Sequence, residues 1–175
     1  GGSKDEIAAL LSKAVDANPT DVAPRLLLID LLLRHKDNKQ ALTVAQNAVT
    51  ALPNSAELLS ALGRVQQVSG ELNQALASYG KLVAMQPLSP LPHIRLAEAQ
   101  VANKDLKAAE LSLRKALELK PDALEPQRRL VALLLEVKKP ADALLVASAA
   151  QKQAPTSAAG FALEGDIKAW QRDWA

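Results

Sequence analysis

Five prolines, Pro19, Pro53, Pro87, Pro121 and Pro155, return at a constant spacing of 34 residues. A fixed period of this size marks a chain built from stacked supersecondary units, none of which can bury its apolar face alone, and it limits the possible folds before any local propensity is weighed. Starting each unit after the two residues that follow each proline gives four complete units, 22–55, 56–89, 90–123 and 124–157. Segments 4–21 and 158–175 read as the second helix and the first helix of two further, interrupted units, and 1–3 as a cloning remnant.

Other columns then align without adjustment. Position 7 of the unit is Leu28, Leu62, Leu96 and Leu130, position 20 is Ala41, Ala75, Ala109 and Ala143, and position 27 is Ala48, Leu82, Ala116 and Ala150. Pro24, Pro92 and Pro126 share position 3, where a first helical turn tolerates a missing N–H. Within the second unit, Leu58, Leu59, Leu62 and Val65 keep helical spacing, Ser69-Gly70-Glu71 breaks it, and Leu72, Ala75, Leu76, Tyr79 and Val83 resume it. Each unit is therefore helix, tight turn, helix, stopped by the proline at position 32. The alanines let the two helices of a unit approach closely and the position-7 leucines fill the seam, so a bulky residue at Ala109 should overpack it by roughly 1–3 kcal/mol. Gly63 and Gly165 fall at position 8, a close helix crossing, and Gly70 falls in the turn.

Composition agrees with an all-α fold. The chain is 49% apolar and only 2% aromatic, with Ala and Leu dominant, which suits closely packed helices better than sheet. The net charge is +2 with both signs interspersed, so there is no basic stripe for a nucleic acid. No apolar run is long enough to span a bilayer, and none is expected to insert in a membrane. The absence of cysteine removes disulfides and thiolate chemistry.

A 34-residue unit with Leu then a small residue at positions 7 and 8, Ala at 20 and Pro at 32 resembles the tetratricopeptide repeat, best matched by Leu62-Gly63, Ala75, Tyr79 and Pro87. The family's aromatic preference at positions 4, 11 and 24 is met only by Tyr79 and Phe161. The resemblance implies a right-handed superhelical solenoid of antiparallel helix pairs, about ten helices in all. A narrower resemblance is to tetratricopeptide lipoproteins of PEP-CTERM sorting and exopolysaccharide systems. It rests on Ser89-Pro90-Leu91-Pro92, Leu96-Ala97-Glu98-Ala99-Gln100, Ser112-Leu113-Arg114-Lys115-Ala116-Leu117 and Leu163-Glu164-Gly165-Asp166-Ile167. It implies a periplasmic or outer-membrane-attached scaffold; without it the cytoplasm is the default.

In the family, positions 2, 5, 9, 12 and 13 of the first helix line a concave groove that holds a protein or peptide partner. Carried over residue by residue, these are Leu26, Asp30, Leu33 and Arg34 in the first unit and Glu57, Ser60, Arg64, Gln67 and Val68 in the second. The third unit adds Leu91, Ile94, Glu98 and Val101, and the fourth Glu125, Arg128, Leu135 and Glu136. Arg64 and Arg128 would grip acidic groups of a ligand, or, on the plainer reading, Asp30, Arg64 and Glu98, which share position 9, would form an inter-repeat ion-pair ladder. The Lys and Asn carboxylate clamp of chaperone adaptors is absent, since positions 5 and 9 are Leu26/Asp30, Ser60/Arg64, Ile94/Glu98 and Arg128/Ala132.

Catalysis is not expected. Of the two histidines, His35 falls in a charged turn and His93 at a packing position, and neither has a second histidine at metal-binding spacing. No cofactor or metal is called for, and the expected role is an interaction scaffold, with a structural spacer or assembly chaperone as the alternative. The last helix carries Phe161, Leu163, Ile167, Trp170 and Trp174 with no successor to cover them, so apolar surface at both ends is expected to favour self-association.

Overall fold

The computed structural model describes residues 3–173, with Trp174 outside that range, and over them the chain is all-α, ten helices in sequential antiparallel pairs. It divides into two compact units, one ending at Pro87 and one beginning at Leu88. The first contains α1 (Lys4–Ala17), α2 (Ala23–Arg34), α3 (Asn38–Ala51), α4 (Ala56–Val68) and α5 (Leu72–Met85). The second contains α6 (Pro90–Ala102), α7 (Leu106–Leu119), α8 (Leu124–Glu136), α9 (Pro140–Gln153) and α10 (Ala158–Asp173).

Local chemistry sets the boundaries. Asp37, Ser55 and Asp105 each accept a hydrogen bond from the backbone N–H three residues on, capping α3, α4 and α7. Ser3 does the same for α1, and Glu6 returns the bond to the Ser3 N–H at 2.8 Å. The residue before each position-32 proline has left the helical region, with φ/ψ of -132°/71° at Leu52 and -131°/62° at Gln86, which ends the second helix of the unit. The turn inside every complete repeat is a Schellman motif. The Asp37, Glu71, Asp105 and Lys139 N–H groups donate to the Leu32, Gln66, Gln100 and Leu134 carbonyls at 2.7–2.9 Å. The left-handed residue this needs is Gly70 in one repeat but Lys36, Lys104 and Lys138 in the others, with φ of 58–61°.

The expected core columns are buried, except that Leu96 at position 7 is half-buried. Leu163 and Ile167 of α10, expected to lie uncovered, are instead buried at 3% and 0% exposure because that side of α10 packs on α8 and α9. Position 20 is fully buried in all four repeats, and Ala48, Leu82, Ala116 and Ala150 at position 27 are at most 5% exposed. Two further columns pair across the helices of a repeat. Position 8 carries Ile29, Gly63, Ala97 and Val131, and position 24 carries Ala45, Tyr79, Leu113 and Ala147, so a large residue in one column meets a small one in the other. The tightest case is Gly63, where an added Cβ would lie 2.6 Å from Cε1 of the Tyr79 ring. Gly165 holds the same position but has open space there, because close crossing at position 8 needs a following helix, and none among the described residues packs on that face.

Positions 11 and 23 couple by polarity. The Ser78 hydroxyl donates to Gln66 Oε1 at 2.7 Å and the Ser112 hydroxyl to Gln100 Oε1 at 2.8 Å. In the first and fourth repeats the same two positions are Leu32 with Val44 and Leu134 with Val146, each pair within one apolar cluster.

Candidate functional site

The candidate partner surface is the solvent side of the first helices, which the second helices leave free. In the first unit this face is built from α2 and α4. Arg34, Glu57, Arg64 and Val68 are exposed, while Leu26, Asp30, Leu33, Ser60 and Gln67 are half-buried. Asp30 and Arg64 form an ion pair, one rung of the anticipated ladder. Arg34 turns back along its own helix, its Nε donating to the Asp30 carbonyl at 3.3 Å. Glu57 accepts from the Ser55 hydroxyl at 3.0 Å.

In the second unit the face comes from α6 and α8. Leu91, Val101, Glu125, Arg128 and Glu136 are exposed. Ile94 and Leu135 are 4% and 9% exposed; as branched apolar residues they turn into the helix packing, and they offer a partner little surface. Glu98 is drawn into a network that the 34-residue columns do not reveal. It meets Arg95 at 3.0 Å and Arg129 at 2.5 Å, and Arg129 also meets Glu125 at 2.9 Å. Its side chain is only 15% exposed, so this charge is committed to the fold.

Arg95 and Arg129 occupy position 6 and were not among the groove positions. Their signal in the sequence is local, an Arg95–Glu98 spacing of i,i+3 and a Glu125–Arg129 spacing of i,i+4. Arg128 stands apart from this network. Among the described residues it has no ion pair, and its guanidinium is exposed.

The histidines lie where the sequence reading puts them. His35 is exposed in its turn, and His93 is half-buried. Burial holds the His93 imidazole below its ordinary pKa, Lys115 adds to the depression and Glu118 opposes it. On the second-helix side a cleft of about 440 Å³ lies among α7, α8 and α9, floored by Leu130 and Ala150. None of the expected partner-binding positions lines it.

Comparison with known proteins fits this architecture. Residues 60–124 match the family model described as tetratricopeptide repeat. Among the curated proteins no sequence match was found. A thermophilic TPR protein in Thermus thermophilus is 22% identical with a TM-score of 0.68, over 96% of this chain and 90% of that one. YrrB, a TPR protein with an unusual peptide-binding site, is 22% identical with a TM-score of 0.65, over 94% of this chain and 85% of that one. A chain of the APC/C hetero-tetramer Cut9-Hcn1 is 16% identical with a TM-score of 0.71, over 94% of this chain but 33% of that one. The chain thus carries tetratricopeptide repeat sequence at residues 60–124, and its described helices have the tetratricopeptide-repeat fold.

Proposed function

We propose that this chain is a protein-interaction scaffold whose first helices present the binding face. The observation that carries this reading is Arg128, an exposed residue at a groove position with no ion pair among the described residues, on the same first-helix face as the exposed Leu91 and Val101. A charge that the fold does not use is available to a partner's carboxylate. The peptide-binding site named for YrrB and the hetero-tetramer named for Cut9-Hcn1 support the class of function. The context we attach to it, exopolysaccharide export or PEP-CTERM sorting in a Gram-negative envelope, rests on the sequence resemblance alone. Recovery of the native protein in the envelope fraction would support it, and recovery in the cytosol would remove it.

The test is partner capture from a lysate of the source organism, with Arg128→Glu and Arg64→Glu variants in parallel. Arg128→Glu should abolish recovery at unchanged stability. Arg64→Glu also breaks the Asp30 pair, whose exposed setting gives it only a few tenths of a kcal/mol. A second reading, a spacer with no groove-bound ligand, is favoured by the mutual pairing of Asp30 with Arg64 and of Glu98 with Arg95 and Arg129. Unchanged recovery in both variants would select it.

A further inference from the structure

Two clefts share the columns 4, 7, 23, 25, 26, 28 and 29, each lying between successive second helices and over the first helix that joins them. In one, position 4 is Arg25, position 26 is Asn47, and the space is about 200 Å³. In the other, among α7, α8 and α9, position 4 is Gln127, position 26 is Ala149, and the space widens to about 440 Å³. The second and third repeats carry Lys81 and Lys115 at position 26, so Ala149 is the shortest side chain of its column in the complete repeats. Clefts of roughly 300–1,000 Å³ are large enough to take a ligand-sized group.

The walls of the larger cleft are apolar, built from Leu117, Leu130, Leu145, Val146 and Ala150. The charges on its rim are already engaged within α7, Arg114 with Glu110 at 2.8 Å and Glu118 with Lys115 at 2.7 Å. Gln127 is 5% exposed, and its amide has a fixed orientation. The Pro121 carbonyl can only accept, and it takes a hydrogen from Gln127 Nε2 at 2.7 Å. Gln127 Oε1 then accepts from no donor among the described residues. An acceptor held in an apolar recess without a partner bears a desolvation cost that an incoming donor removes.

We infer that this cleft takes a tryptophan side chain of a partner polypeptide, with the indole N–H donating to Gln127 Oε1. Charge complementarity selects that group. With the rim charges paired, the cleft offers an apolar lining and a single partly negative oxygen, which matches a neutral apolar body carrying one donor and no acceptor. An indole is such a body, and burying one removes about 150–250 Å² from water. The cleft is open on the side of α9, where Leu145 is 69% exposed and Ala149 is exposed, so the main chain on either side of the tryptophan can pass over the surface. The site includes none of the expected first-helix partner positions and goes beyond the face proposed above.

The test is a titration of the isotope-labelled chain, followed by amide NMR, with a short capped peptide holding one tryptophan among serines and glycines. Saturable shifts should cluster at Leu117, Leu145, Ala149 and the Gln127 side-chain amide. The same peptide with benzothienylalanine, which keeps the ring shape and lacks the N–H, should bind about three- to tenfold more weakly, the loss of one hydrogen bond. Ala149→Lys restores the side chain that Lys81 and Lys115 place in this column, and it should weaken binding by about tenfold or more with helical circular dichroism unchanged. Shifts absent or scattered over other surfaces, equal binding of the two peptides, or undiminished binding in Ala149→Lys would overturn the proposal. Free indole binding as tightly as the peptide would overturn it too, by giving the cleft to a small molecule. Arg128→Glu should leave this titration unchanged, which separates the cleft from the first-helix reading.

Discussion

The first and fourth complete repeats, 22–55 and 124–157, solve the same packing problem as the second and third, 56–89 and 90–123, with opposite residues. The former place a large residue at position 8, Ile29 or Val131, against Ala45 or Ala147, and join positions 11 and 23 by apolar contact. The latter place Gly63 or Ala97 against Tyr79 or Leu113, and join positions 11 and 23 by a glutamine–serine hydrogen bond. The backbone is a helix pair in all four. What the fold specifies is therefore the sum across two helices, in volume for one pair of columns and in polarity for the other, and neither column is specified alone.

The volume rule is the one to break first. Gly63→Ala drives a methyl into the Tyr79 ring and should destabilise by about 1–3 kcal/mol in urea unfolding. Adding Tyr79→Leu recreates the Ala97/Leu113 combination and should recover most of that loss, although Tyr79→Leu by itself leaves a cavity. Additive losses in the double variant would show that the columns are independent.

The polarity rule is next in size. Gln66→Leu strands the Ser78 hydroxyl in the interior, where only 6% of that residue is exposed, and should cost roughly 1–2 kcal/mol. Gln66→Leu with Ser78→Val copies the Leu32/Val44 pair and should unfold within a few tenths of a kcal/mol of the parent, because both partners are replaced together.

Position 4 gives the smallest effect. Arg25 and Gln127, in the first and fourth repeats, donate to the carbonyls of Pro19 and Pro121 at 2.9 and 2.7 Å, whereas the third repeat carries half-buried His93 there. Its folded pKa lies below the ordinary value of 6.5, so the unfolded chain takes up the proton first as pH falls. Stability from this group is complete above that value, declines as pH falls toward the folded pKa, and is constant below it. A His93→Gln chain should lack this component in a melting series taken from pH 7 downward, and an unchanged pH profile would remove the assignment.

The period made most of the fold legible. Pro53 and Pro87 mark where helices stop, Ala75 and Leu62 mark what is buried, and the turn at Gly70 follows from one residue type. At Lys36, Lys104 and Lys138 no turn-forming residue type marks the left-handed position, since lysine does not advertise a left-handed backbone. Gly165 shows the limit of reading a column: the same residue at the same position is packed in one helix and open in another, and the neighbour decides.

The candidate surface was less legible than the core, because side-chain charge has reach. Glu98 shares a column with Arg64, yet it is held by Arg95 and Arg129, one from its own helix and one from the next repeat's first helix. Periodicity identifies which positions face solvent and is silent on which neighbour a long side chain chooses.

The left-handed lysines have one further consequence. Trypsin cleaves after lysine and takes its substrate as an extended strand, a shape that a φ of 58–61° and the bonds of the Schellman motif deny it at Lys36, Lys104 and Lys138. Cutting there requires the turn to open, so the rate of each nick measures the opening of that one repeat. The second repeat has Gly70 at its turn, so no cut at that turn reports its opening. The chain thus carries its own proteolytic gauge of local unfolding in three of its four complete repeats.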